Sequence, residues 1–382
     1  MNAPVSVSPC HDYTKAAVSA AFDTLLAPLG GLDWVTPGMT VGVKVNLVSK
    51  RKPEAAVTTH PALVCELCRR LAARGASVIV GDSPGGLFTP AILESTYQIC
   101  GLKCVEETGA VLNYDVSETQ KQFPEGHVLK SFSCSAWLER CDAIISFAKL
   151  KTHGMMGMTA AVKNLFGVIP GTKKPEYHYL YPNTMDFAHM LVDLCRCMQP
   201  RFSIIDGVWG MEGNGPTGGT PRHAGVLIAS CDPYACDLVA AGIMGITVSG
   251  APLLRAAHEQ GLAPLTAEDL TVHGDWRAFA QPDWQKISGE VHATFSQHGK
   301  FIDNLMRTAL RRRPKLDPAL CIGCGECARV CPAHAIEMRS TGKGKRPRFD
   351  YNQCIRCFCC QEFCPRAALV VHRGVIARIL SK

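Results

Sequence analysis

Short apolar runs rich in β-branched residues alternate, over roughly the first 245 positions, with stretches whose apolar residues recur every three or four. Residues 39–48 (MTVGVKVNLV) read as a buried strand, 61–74 as an amphipathic helix and 76–81 (ASVIVG) as the next strand. Residues 142–147, 202–206 and 225–229 read as further strands, with helices over 186–198 and 232–243. This alternation predicts an α/β domain: a largely parallel sheet with flanking helices. Such sheets gather ligands at the carboxyl ends of their strands.

Polar residues collect at those ends. The first strand ends in Lys44 and Asn46, the second in Gly81-Asp82-Ser83-Pro84-Gly85-Gly86, a later one in Lys149-Leu-Lys151-Thr152-His153, and another in Asp206-Gly207. Lys163-Asn164-Leu-Phe-Gly167 and His178 follow. Lysines and a histidine just beyond a buried strand are poorly explained by packing. Lys151, Lys163, His153 and one of Lys173 or Lys174 are therefore expected to form an anion pocket, with Asn164 as hydrogen-bond partner and His178 as candidate proton donor. Lys151, His153, Lys163 and His178 are the candidate catalytic residues; Lys44, Asn46, Asp82, Asn164 and Asp206 are the candidate substrate contacts. The competing reading leaves some lysines as surface charge and His153 as a loop histidine. The turn at 81–86 matches neither a phosphate-binding loop nor a dinucleotide fingerprint. Met155, Met156 and Met158 read as core filling, and the glycine-rich residues 210–220 as a lid or a long connection.

Composition adds the second half of the picture. The chain has 382 residues, 47% of them hydrophobic, and 20 cysteines. That apolar content excludes disorder, and the length excludes a disulfide-stapled miniprotein. The sequence has no secretory signal and no apolar run of about 18 residues, so a cytoplasmic protein with reduced thiols and no membrane span is expected. In that compartment regularly spaced cysteines point to metal.

Eight of them repeat one pattern: Cys321-x2-Cys324-x2-Cys327-x3-Cys331-Pro and Cys354-x2-Cys357-x2-Cys360-x3-Cys364-Pro. This is the run that holds [4Fe-4S] cubanes, and in two-cluster proteins the fourth cysteine crosses to the other cluster. Two [4Fe-4S] clusters are expected, one on Cys321, Cys324, Cys327 and Cys364, the other on Cys354, Cys357, Cys360 and Cys331. Gly323 and Gly325 supply backbone freedom for the turns around the cluster. The remaining twelve cysteines lack a companion run and read as reduced thiols, with Cys65 and Cys68 as a candidate redox pair and Cys100 and Cys104 one turn apart on a helix.

Residues 317–372 thus resemble a bacterial two-cluster ferredoxin, a small α+β domain. Charge follows the same division. Residues 301–382 hold 16 Lys and Arg against 6 Asp and Glu, an excess partly offset by the anionic clusters. Arg311-Arg312-Arg313-Pro314-Lys315 could dock an acidic redox partner or be a solvated linker end. The expected division is an α/β domain over 1–298, a basic linker over 299–316, the ferredoxin-like domain over 317–373 and a tail over 374–382.

Lys44-Val-Asn46, Gly81-Asp82-Ser83-Pro84-Gly85, Lys151-Thr152-His153, Lys163-Asn164-Leu-Phe-Gly167 with Pro170-Gly171, and Asp206-Gly207 make residues 40–245 similar to the family called domain of unknown function 362, often fused to a carboxyl-terminal ferredoxin module. The family's name carries no reaction. The residues themselves imply an iron–sulfur oxidoreductase, in which a ferredoxin, flavodoxin or reductase exchanges electrons with the clusters and a small anionic substrate sits in the α/β domain. The alternative is a non-catalytic carrier whose α/β domain docks a partner enzyme. Nucleic-acid binding has no supporting motif. The cofactor and compartment together suggest anaerobic metabolism.

Overall fold

The computed structural model describes residues 3–286, 312–342 and 344–372. The chain enters as β1 (Val5–Pro9), followed by α1 (Lys15–Leu26), β2 (Thr40–Lys44), α2 (Pro61–Ala73), β3 (Ser77–Gly81), α3 (Pro90–Ile99) and β4 (Val111–Leu112). A separate hairpin, β5 (Glu118–Gln122) and β6 (Ser131–Ser135), precedes β7 (Ala143–His153), β8 (Gly157–Thr159) and three helices, α4 (Ala161–Asn164), α5 (Lys174–Leu180) and α6 (Thr184–Met198). Then come β9 (Phe202–Glu212), β10 (Thr220–Ser230), α7 (Pro233–Ile243), α8 (Pro252–Glu259) and β11 (Val272–His273).

One sheet runs in the order β11-β1-β10-β9-β7-β2-β3-β4, with β8 folded back on β7. From β4 to β9 every neighbouring pair is parallel, while β10 is antiparallel to both β9 and β1. The expected fold class is therefore observed. Apolar clusters cover both faces, one including α1, α2 and α3 and the others α6, α7 and α8. The helices start where the sequence provides caps: the side chain of Asn183 accepts from Met185 N, and that of Asp232 from Tyr234 N and Ala235 N.

Two strand boundaries differ from expectation for a local reason. β2 stops at Lys44 because side chains take over the next backbone donors: Asn46 N donates to Thr59 Oγ1 and Leu47 N to Asp82 Oδ2. β9 and β10 extend into a hairpin, so only residues 213–219 of the glycine-rich segment form a connection.

The carboxyl-terminal region contains β12 (Arg313–Leu316), β13 (Ile336–Thr341), β14 (Gly344–Phe349) and β15 (Leu369–His372). β12 pairs with β15, and β13 with β14 in the hairpin between the two cysteine runs. Residues 313–316, expected within a linker, are thus a strand, because the polar residues Arg313 and Lys315 alternate with Pro314 and Leu316 against β15. Residues 299–311 of that linker and the tail 374–382 lie outside the described residues.

Candidate functional site

The carboxyl ends of β2, β3 and β7 bring the predicted polar residues into one buried network. Lys44 Nζ donates to Val45 O and Asn164 Oδ1 and pairs with Asp82 Oδ1 at 2.8 Å. Asp82 is fixed in turn by Leu47 N and Ser83 N. Asn164 Oδ1 also accepts from Asn46 Nδ2, and Asn46 Oδ1 accepts from Lys151 Nζ at 2.6 Å. Lys174 Nζ is held by Ser83 O, Ser83 Oγ and Ile169 O. Gly167 is required where it stands, since a Cβ there would overlap Asp82 Oδ1 and Lys44 Nζ.

Lys163 differs from these lysines. Among the described residues nothing accepts a hydrogen bond from its Nζ, which lies 5.2 Å from the centroid of the Phe166 ring. His178, stacked on Phe187 with ring centroids 4.2 Å apart, has a buried Nδ1 with no hydrogen-bond partner among the described residues. Both line a cavity of about 60 Å³ together with Lys44, Asn46, Asp82, Lys151, His153, Asn164 and Lys174. At ~15 Å³ per water, that is room for roughly four waters or one small molecule.

Burial governs the titration of these groups. It drives Lys151 and Lys174 down to about 7, His153 to about 4 and His178 to about 3, and lowers Lys44 and Lys163. A crowd of desolvated ammonium groups facing two carboxylates, Asp82 and Glu362, favours an anion.

The last wall of this cavity comes from the other end of the chain: Glu362 and Phe363, between the cysteines of the second run, line it beside Pro216. Gly85 makes this approach possible, because a Cβ there would lie 2.6 Å from the Phe363 ring. The connection 213–219 is the clamp. Gln361 Nε2 donates to Asn214 O and Gly215 O, Asn214 Nδ2 to Leu369 O, Val371 N to Asn214 Oδ1, and Thr217 Oγ1 to Glu362 O. Arg312 Nη1 adds a bond to Gly154 O at 2.6 Å. Part of the basic segment therefore joins the two halves of the chain; Arg311 lies outside the described residues.

The cysteines group across the two runs. Cys321, Cys324, Cys327 and Cys364 line one small apolar cavity. Burial pushes Cys327 up to about 11, with Cys324, Cys364 and Cys321 adding to the rise, whereas the thiols that add to the burial-raised Cys354 are Cys357 and Cys331. Among the described residues no three His, Cys, Asp or Glu converge tightly enough to hold a single ion. Ala335 N donates to Cys331 Sγ and Ala368 N to Cys364 Sγ, at matching places in the two runs; such bonds offset thiolate charge. Gly323 and Gly325 have φ of 71° and 80°, and their counterparts Arg356 and Phe358 adopt 60° and 63° without the freedom of glycine. The donor set fits iron–sulfur ligation.

The model for domain of unknown function 362 matches residues 41–242, and that for a 4Fe-4S dicluster domain matches residues 313–365. The chain belongs to the DUF362 family. A thylakoid-associated protein of Synechocystis sp. is 31% identical over 271 residues, covering 69% of this chain and 81% of that protein. Among solved structures, the lactate racemase apoprotein of Thermoanaerobacterium thermosaccharolyticum aligns with a TM-score of 0.39 at 10% identity, over 62% of this chain and 57% of its own. A protein of Thermotoga maritima aligns at 0.35 with 12% identity, over 67% and 59%. The chain thus spans less than two thirds of either solved protein. Its carboxyl-terminal region is an iron–sulfur electron-transfer domain, and no helix among the described residues is long and apolar enough to cross a membrane.

Within the DUF362 domain, Asp206 and the two cysteine pairings are placed differently from expectation, and the alternative between Lys173 and Lys174 is resolved. Asp206 does not line the cavity: it is fully buried against Lys149 Nζ at 2.7 Å and is further bonded by Tyr13 OH and His60 N. In the parallel register of β9 on β7, Asp206 stands opposite Lys149 and Met211 opposite Lys151, so the carboxylate meets Lys149 rather than Lys151. Lys173 pairs instead with Glu118 on the side hairpin, leaving Lys174 as the pocket lysine. Cys65 meets Cys104, Sγ to Sγ 2.8 Å, rather than pairing off with Cys68. Cys100 and Cys104 do not share a helix, because Gly101 at φ 73° breaks it.

The sequence reading missed Glu362, Phe363 and Ser83. Ser83 stood within a noted turn; Glu362 and Phe363 were spacers inside a metal motif and carried no local signal.

Proposed function

We propose that the protein is an iron–sulfur oxidoreductase with two [4Fe-4S] clusters, relaying single electrons to or from a small anionic substrate held in the cavity between its halves. The observation that carries this reading is the shared wall: Glu362 and Phe363, flanked by ligands Cys360 and Cys364, line the same cavity as Lys151, Lys163 and Asn164. When bound, the clusters supply one-electron transfer, and a pair of them can serve a two-electron substrate.

The protein's own groups then divide the work. Lys163 offers three free donors to the anion, while Lys44, Asp82, Asn46 and Asn164 hold Lys151 and each other in place. His153 is neutral at pH 7, and its Nδ1 accepts from Met155 N and Met156 N. Its proton therefore sits on Nε2, facing Glu362 and the cavity. His178, also neutral, is the second proton-bearing ring at the wall. A reducing, cytoplasmic setting and a protein electron partner follow from the same reading.

Protein purified without oxygen should carry about eight irons per chain, four for each cubane. Its reduced clusters should be reoxidised on adding a small carboxylate, phosphate ester or thioester, and Lys163→Ala should slow that reoxidation. Turnover that survives Cys354→Ser with Cys357→Ser would overturn the reading. Electron transfer to protein acceptors alone would favour the carrier instead.

A further inference from the structure

The two cysteine runs share a backbone but face different surroundings. Cys357, Cys359 and Cys360 are buried, and their run packs on the α/β domain through Phe358, near Gly154, and Phe363, against Gly85. In the first run Cys324 is exposed, and the two side chains flanking Cys321 are apolar and open: Leu320 is 43% and Ile322 61% exposed. Nothing in the fold of this chain covers them among the described residues.

The rim of this tip is basic. A Cβ on Gly323 would lie 2.6 Å from Lys345 O and 3.5 Å from Arg346 Nη1, so the start of β14 flanks the cysteine loop. Lys345 is exposed, and exposed Arg366 lines the same thiol cavity as Ile322. Glu326 pairs with Arg329 and Glu337 with Arg339, while Asp317 accepts from Ala319 N in its own turn. An apolar centre with a predominantly basic rim, set against cofactor ligands, has the anatomy of a transient protein interface.

We infer that the Leu320–Ile322 tip, ringed by Lys345, Arg346 and Arg366, is the docking surface for a small acidic one-electron carrier protein. The inference rests on the oxidoreductase reading above and adds where electrons cross the surface. Each encounter moves one electron: the carrier is oxidised by one and the iron–sulfur domain reduced by one, with no bond or proton exchanged. The buried second run then faces the cavity while the open first run faces the carrier, giving the pair of runs a direction.

The test uses the full-length, iron-loaded protein and a reduced acidic [2Fe-2S] ferredoxin as probe, with dithionite as the small-molecule donor. Carrier affinity and the rate of cluster bleaching should both fall with added salt, as screening of opposite charges requires. Lys345→Glu combined with Arg346→Glu should cut both at least tenfold, within the range by which steering alters association rates. Ile322→Asp should weaken binding similarly, with iron content checked for each variant, and bleaching by dithionite should stay at the wild-type rate in all. Unchanged carrier affinity in both variants, or a wild-type rate indifferent to salt, would overturn the inference. Normal carrier-driven bleaching without any reoxidation by small anions would instead sink the oxidoreductase reading and leave the docking surface standing.

Discussion

Glu362 Oε1 lies 2.8 Å from His153 Nε2, joining the metal-binding half of the chain to the end of β7. Burial alone would raise this acid, but His153, Lys163 and His178 together hold it down at about 2. It is thus a fixed negative charge in a cavity that four lysines, Lys44, Lys151, Lys163 and Lys174, also line. Glu362→Gln should tighten binding of a small anion roughly three- to tenfold, the effect of ~1 kcal/mol of relieved repulsion, as read by calorimetric titration. Unaltered or weaker binding would show that the acid faces the seat of the domain and not the ligand.

Lys163 and Lys174 should respond in opposite ways to truncation. Lys174 satisfies three oxygen acceptors, so Lys174→Met should cost about 1–3 kcal/mol of stability for each buried group left unpaired. Lys163→Ala, which breaks no hydrogen bond among the described residues, should leave the melting temperature within a few degrees and weaken anion binding at least tenfold. Equal losses of stability in the two variants would contradict this division.

Affinity for an anion should fall as pH rises through about 7, where Lys151 and Lys174 lose their protons. Stability runs the other way. Both lysines titrate below their ordinary value of ~10.4, so between about pH 7 and 10 the unfolded chain holds more protons and folding becomes more favourable with rising pH. Binding and denaturant unfolding measured at pH 6 and 9 should therefore move in opposite directions.

The Lys149–Asp206 pair should be structural. Asp206→Asn strands a buried ammonium and should cost about 3–5 kcal/mol, read from urea unfolding, while anion affinity in the folded fraction stays unchanged. A large loss of affinity with little loss of stability would return Asp206 to the site.

Mild two-electron oxidation by diamide should join Cys65 to Cys104. Peptide mapping without reduction should find that link in Cys68→Ser and lose it in Cys104→Ser. A Cys65–Cys68 product in the wild type would show that the pairing across α2 is not the reactive one.

Much of this was legible along the chain, and the exceptions have physical causes. Lys44, Asp82 and Lys151 could be found because parallel strands deliver their carboxyl ends to one edge, so position on a strand implies position in space. Asp206 obeyed the same rule and still went astray: neighbours across the sheet, which no local pattern specifies, decide which lysine a carboxylate meets. Gly101 ended a helix that the spacing of Cys100 and Cys104 alone would have continued. Glu362 lay beyond reach because its role depends on how two separately patterned regions pack.

That packing has a thermodynamic consequence. Since Glu362 at His153 and Phe363 at Gly85 complete the cavity wall, any ligand that fills it and touches that wall also binds the two halves of the chain to each other, by RT ln(1 + [L]/Kd). Loosening the Asn214 clamp would then register as poorer affinity even though no ligand contact had changed, and a bound ligand would protect the joint from proteolysis.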